Sequence, residues 1–234
     1  MLCQIAMIGF LPKGSLSSFQ EVNEQIYGLP NDRLFSVSDL ISNTERFTMR
    51  ALKGIRKNDM EKLKKNLMIA LSFATAVANR FHIDIEEITW KRFPGKCSYC
   101  GKAPCVCKKI KPSKRVKIIR ESSKKPSTLA EFQAMFNHIY PSDARTLSDV
   151  GVHLAEEMGE LSEAAHFYLG DHSSQLFKET REELADYVSC FFGVANSADI
   201  DVAKTLYEMF DNGCHVCHKA PCVCSFSHIV RFRS

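Results

Sequence analysis

The stretch LAEEMGELSEAAHFYLGDHSSQLFKETREELAD, residues 154–186, contains two helical patterns, each an apolar stripe flanked by carboxylates. At about 100° per residue, Glu156, Glu157, Glu160 and Glu163 fall within roughly a 120° arc beside Leu154, Met158, Leu161, Ala165 and Tyr168. Glu179, Glu182, Glu183 and Asp186 repeat the arrangement beside Leu176, Phe177, Leu184, Tyr187, Val188 and Phe191. Packed antiparallel, the two helices would turn up to eight carboxylates toward one gap. Two solvated acidic faces would use the same residues. Residues 151–170, however, contain no Lys or Arg to supply i,i+4 partners. Uncompensated charge of this kind asks for a hard cation, and Mg²⁺ suits an all-oxygen site that also meets phosphates.

The chain repeats itself. At an offset of 117, residues 77–107 match residues 194–224 at 14 of 31 positions, including Val77-Ala78-Asn79 with Val194-Ala195-Asn196 and Ile83-Asp84 with Ile200-Asp201. Chance would give about two identities. Phe19-Gln20 and Ile26-Tyr27 match Phe132-Gln133 and Ile139-Tyr140 at 113, and Ser38-Asp39 matches Ser148-Asp149 at 110. Small loop insertions explain the drift, so the chain is a tandem duplication, 15–107 and 128–224, joined by 108–127. Capping-box patterns at Ser18 and Thr128 and apolar periodicity predict four helices per repeat. These lie near 18–27, 37–53, 58–80 and 84–93, then near 128–139, 147–169, 174–197 and 200–211.

The repeats are chemically unequal. Asn66 and Ile69 stand where the second half has Glu183 and Asp186, and Leu40 to Arg50 offers only Glu45. The first repeat is therefore expected to lack a metal site, and either to serve a structural role or to lend basic residues between Arg50 and Lys65 to polyphosphate in the second.

Each repeat ends in four cysteines at one spacing, Cys97, Cys100, Cys105 and Cys107, then Cys214, Cys217, Cys222 and Cys224. Close thiols without a secretory signal predict one structural Zn²⁺ per repeat in a small knuckle. Disulfides or free redox-sensitive thiols are the alternatives, and His215 or His218 could replace a ligand. Cys3 and Cys190 read as buried small hydrophobes.

The pattern Glu156-Glu157-Met158-Gly159-Glu160 followed by Glu183-Leu184-Ala185-Asp186, extended by Phe132-Gln133 and Ile200-Asp201-Val202, resembles the EExxE…ExxD signature of the MazG-like nucleoside triphosphate pyrophosphohydrolases over about residues 128–213. The resemblance implies an all-α bundle that pairs as a symmetric dimer, here as an intramolecular pseudo-dimer of two four-helix repeats. It also implies Mg²⁺-dependent cleavage of the α–β bond of a nucleoside triphosphate to a monophosphate and pyrophosphate. Glu157, Glu160, Glu183 and Asp186 would hold the metal, and Glu156 would bind a second ion or orient a water. Phe167, Tyr168 and Phe191 are candidates for base stacking, with core aromatics as the plainer reading. Lys178, Lys204 and Asn212 are candidates for phosphate or ribose contact, with ordinary surface residues as the alternative.

Composition sets the remaining bounds. The charge of +4 belongs to the linker: residues 108–125 hold nine Lys/Arg and one Glu, a local +8, which leaves −4 elsewhere. A solvated linker is favoured over a nucleic-acid contact. No apolar run reaches 18 residues, and Met1 to Phe10 lacks a basic start and a cleavage site, so the expectation is a cytoplasmic protein without a membrane partner. Self-association of copies stays open. Ile5 to Phe10, Val116 to Ile119 and Ile229 to Arg233 read as short extended segments that could share a small sheet. The second functional reading is a zinc-containing regulatory module that binds nucleotide, nucleic acid or protein through the knuckles and linker.

Overall fold

In the computed structural model, residues 9–110 and 112–232 are described, and their regular structure is helical throughout. The first half runs α1 (Leu16–Leu34), α2 (Val37–Lys57), α3 (Met60–Arg80) and α4 (Ile85–Arg92). The second runs α5 (Leu129–Ile139), α6 (Leu147–Asp171), α7 (Ser174–Ser197) and α8 (Val202–Phe210), followed by α9 (Phe226–Arg231). The predicted helices agree within about a turn except at α1. That helix starts earlier than the Ser18 capping box implies, because the Ser15 hydroxyl accepts from the Ser18 N–H at 3.0 Å, and it continues through Pro30.

Side chains repeat along with the helices. Gln20 Nε2 donates to the Ile83 carbonyl (2.7 Å) while its Oε1 accepts from the Ile85 N–H (3.0 Å). Gln133 does the same with Ile200 (2.8 Å) and Val202 (3.0 Å). Each glutamine thereby ties the first helix of its half to the turn before the fourth, satisfying backbone groups that the turn leaves unpaired. Capping boxes, Ser36 with Asp39 and Thr146 with Asp149, open α2 and α6.

One apolar core runs through both halves. α2 and α3 form one hairpin, α6 and α7 another; α2 also packs on α6, and α4 on α7. Between the hairpins the buried Thr48 and Tyr187 hydroxyls meet at 2.9 Å. Gly151 lets α6 approach α2, since a Cβ there would come within 2.9 Å of Ile55 Cδ1.

The cysteine loops also cross between halves. The Cys105 N–H donates to the Ile139 carbonyl (2.8 Å) and the Cys222 N–H to the Ile26 carbonyl (2.7 Å), so each loop seats on the first helix of the opposite half rather than closing its own bundle. Pro30 makes the second contact available: a residue at that position would ordinarily donate to Ile26, and proline has no N–H. In the second half α5 simply ends at Ile139.

Two expected extended segments are corrected. Val116 to Ile119 form no strand; the segment folds back over the first cysteine loop, with the Val116 N–H on the Tyr99 carbonyl (3.0 Å). The tail from Phe226 to Arg231 is helical, because Ser225 caps it and Arg46 and Arg50 donate to the carbonyls of Ile229, Val230 and Phe232 at its end. The segment from Ile5 through Ile8, with Cys3, and the terminal Arg233 lie outside the described residues. The linker is held against α4 by Arg120 to Glu87 (3.6 Å) and Lys125 to Glu86 (3.0 Å). No helix among the described residues is long and apolar enough to cross a membrane.

Candidate functional site

Glu157 and Glu160 leave α6 one turn apart and Glu183 faces them from α7, with carboxylate oxygens of all three within 4.8 Å of one another. Glu160 is exposed and the other two are partly buried. Glu157 Oε2 and Glu183 Oε2 are buried with no hydrogen-bond partner. Burial first, then the Asp186 and Glu160 charges, push Glu157 up to about 8 and Glu183 up to about 7. Orphaned, mutually repelled oxygens are unfavourable unless a cation compensates them, so this trio fits a hard divalent ion.

The sign of this effect is testable. Both folded-state pKa values lie above the ordinary carboxylate range, so their contribution favours the metal-free fold at low pH and is lost as pH rises through about 7 to 8. Mg²⁺ should therefore raise the melting temperature more at about pH 9 than at about pH 6. Equal Mg²⁺ shifts at both pH values would remove Glu157 and Glu183 from the ligand set.

Asp186 is not part of the trio. Arg92, at the end of α4 in the other half, holds it through Nε–Oδ1 (3.1 Å) and a second contact from Nη2, while Nη1 takes Glu182 (3.0 Å). Arg92 and Asp186 are only 12% and 13% exposed. Burial opposes the Arg92 charge, but Asp186 and Glu182 outweigh it and raise its pKa. The first half thus does send a cation to the carboxylates, but from α4 rather than from the expected stretch between Arg50 and Lys65. Arg46 and Arg50 instead bind the tail.

Carried back by the offsets of 110 and 117, Glu157, Glu160, Glu183 and Asp186 become Phe47, Arg50, Asn66 and Ile69, and Arg92 carried forward becomes Met209. Phe47, Ile69 and Met209 pack together there with Phe73 and Phe232. The positions of the charged pair in one half belong to an apolar cluster in the other. Arg92 escaped sequence reasoning, yet the repeat carried the signal: the two positions differ together, from Arg and Asp to Met and Ile.

Beside the trio a cleft of about 290 Å³ runs from Glu157 and Asp186 to the first cysteine loop, lined among others by Tyr99, Arg115, Tyr140 and Arg145. Its counterpart in the first half, lined by Tyr27, Phe47, Ile69, Cys214 and Phe232, is reduced to about 60 Å³. Cys190 lines the open cleft, and burial keeps its thiol protonated.

The remaining candidates lie elsewhere. Phe167 is 57% exposed and outside the cleft lining, as are Lys178, which pairs with Glu182 (3.8 Å), and the exposed Asn212. Helical spacing placed Phe167 beyond Glu160, but it leaves α6 on the solvent side. Glu156 is exposed, Tyr168 packs against Phe81 and Phe177, and Phe191 is in the core.

In each cysteine loop the four sulfurs converge. Sγ–Sγ distances are 3.5 to 3.9 Å among Cys97, Cys100, Cys105 and Cys107, and 3.4 to 4.0 Å among Cys214, Cys217, Cys222 and Cys224. All eight thiols are free. A tetrahedral ion with metal–sulfur bonds of about 2.3 Å separates its sulfurs by about 3.8 Å, so either group could hold zinc. Backbone N–H groups of Tyr99, Cys107, Val216 and Cys224 point at the sulfurs of Cys97, Cys105, Cys214 and Cys222. His215 is not in the second cysteine group; its Nδ1 meets the Tyr27 hydroxyl at 3.1 Å.

Compared with protein-family models, curated proteins and solved structures, the chain finds no match. Among the described residues, the regular structure is helical, and one carboxylate trio and two four-cysteine groups could each hold a metal ion.

Proposed function

We propose that the protein is a Mg²⁺-dependent nucleoside triphosphate pyrophosphohydrolase. The observation that carries this is the pair of orphaned buried oxygens, Glu157 Oε2 and Glu183 Oε2, next to Glu160 at the end of an open cleft. In this reading Glu157, Glu160 and Glu183 hold the metal, and Asp186, paired with Arg92, stands behind them. Bound Mg²⁺ would offset polyphosphate charge and lower the pKa of a water. Glu156, exposed one residue before Glu157, orients the attacking water. The oxygen of that water bonds to the α-phosphorus as its proton passes to solvent, the bond to the α–β bridging oxygen breaks, and the products are a nucleoside monophosphate and pyrophosphate. Pyrophosphate release should appear with Mg²⁺ for at least one member of a panel of ribo- and deoxyribonucleoside triphosphates. Release from none of them would overturn the assignment.

The halves act as the two members of a pseudo-dimer. Supporting this are the Thr48–Tyr187 contact, the Arg92–Asp186 pair and the crossed seating of both cysteine loops. Each loop holds one structural zinc, since a closed set of four thiolates leaves no position for water. Elemental analysis of protein purified without added metal should find about two zinc per chain. A value near zero, with all eight loop thiols reacting, would exclude zinc.

A further inference from the structure

We infer that the wall of the cleft built by the first cysteine loop, Tyr99 with Arg115 from the segment that follows, is the recognition surface for the substrate's nucleoside and phosphates. The inference rests on the pyrophosphohydrolase reading and adds where the nucleotide lies.

Three observations lead there. Two tyrosine–arginine pairs line the same cleft as Glu157: the Arg115 guanidinium lies over Tyr99 at 5.5 Å and that of Arg145 over Tyr140 at 5.3 Å. Aromatic faces suit a nucleobase, and guanidinium forks suit phosphate. The position of Arg115 is also fixed rather than accidental: Nη1 donates to Ser98 Oγ at 3.3 Å, and the Val116 N–H is on the Tyr99 carbonyl at 3.0 Å.

The third observation comes from the duplication. At the offset of 117, Tyr99 and Arg115 correspond to Val216 and Phe232. Both counterparts line the shrunken cavity of the first half, where Phe232 sits against Phe47 with ring centroids 6.3 Å apart. The segment after each cysteine loop therefore returns to a cavity. Where the carboxylates are present it brings an arginine and leaves about 290 Å³ open; where Phe47 and Ile69 replace them it brings a phenylalanine and about 60 Å³ remains. The loop wall and the metal-ligand positions differ between the halves as one set, as expected if they serve one ligand. This gives the cysteine loop a role beyond stability, since it carries Tyr99 between two of its ligand positions.

The test uses the full chain and a Mg²⁺-bound, α,β-non-hydrolysable analogue of the preferred triphosphate from the panel, with binding followed by calorimetry. Arg115→Ala and Tyr99→Val should each weaken binding about tenfold, and KM for hydrolysis should rise with them. Zinc content and melting temperature should stay at wild-type values, because Arg115 is exposed and valine already serves at the Tyr99 position in the other loop. Unchanged affinity and KM in both variants, with wild-type hydrolysis intact, would overturn the recognition wall while leaving the pyrophosphohydrolase assignment standing. A wild-type chain that neither binds nor cleaves any triphosphate would overturn both.

Discussion

Glu157→Gln should lower Mg²⁺-dependent pyrophosphate release by at least about 100-fold, since groups that merely orient metal ligands are worth about 10–100-fold. Glutamine keeps the size of the side chain and removes the charge from a position whose Oε2 is buried without a partner. In metal-free protein the same substitution should raise the melting temperature, because it removes one member of a repelling set in which Glu157 is pushed up to about 8. Stability and activity should thus move in opposite directions, which a simple folding defect cannot produce. The Glu160→Gln, Asp186→Asn double variant extends the test: Mg²⁺-dependent hydrolysis persisting there would refute the carboxylate assignment. Asn66→Ala, in the first half, should leave the chemistry near wild type.

Arg92→Met should destabilise the protein by about 3 kcal/mol, the lower end for breaking a buried ion pair, because Asp186 and Arg92 are 13% and 12% exposed. For a chain of this size that corresponds to a melting point lower by roughly 6–12 °C. The first half supplies the control. Met209 and Ile69 occupy the equivalent positions and belong to one apolar cluster, so the Arg92→Met, Asp186→Ile double variant should recover most of the lost stability. It should not recover hydrolysis, since Asp186 behind the trio is gone. Arg92→Lys keeps one charge but loses the fork that spans Asp186 and Glu182, and is expected to fall between wild type and Arg92→Met in both measurements. Additive losses in the double variant would break the proposed equivalence of the two sites.

Local patterns in the chain were enough for much of this. Apolar periodicity and the turn residues place α2 to α8 to within about a turn, since amphipathic helices are set by the spacing of their own residues. The clustering of Glu157, Glu160 and Glu183 was legible for the same reason, since i,i+3 spacing puts Glu157 and Glu160 on one side of α6, but the sequence placed Asp186 with them, where the fold pairs it with Arg92. The cysteine groups were legible because their ligands lie within 11 residues of one another in each case. Duplication, too, is a property of sequence alone.

What lay beyond the sequence are relations between segments distant in the chain. Arg92 reaches Asp186 across 94 residues, and the Cys222 N–H reaches the Ile26 carbonyl in the opposite half. No local periodicity encodes which of several basic residues will find an acid, because that choice depends on how α4 lies against α7. The same limit explains Phe167, Lys178 and Asn212: helical spacing fixes the direction a side chain takes from its own axis, but not which neighbour or solvent it will meet. The tail is helical because Ser225 caps its start and Arg46 and Arg50 donate to the free carbonyl groups at its end. Sequence determined the helices, the carboxylate and cysteine clusters and the fact of the repeat; tertiary packing decided how the halves meet, since only the folded chain brings Arg92 to Asp186 and sets Glu157 and Asp186 at one end of a cleft that reaches the first cysteine loop.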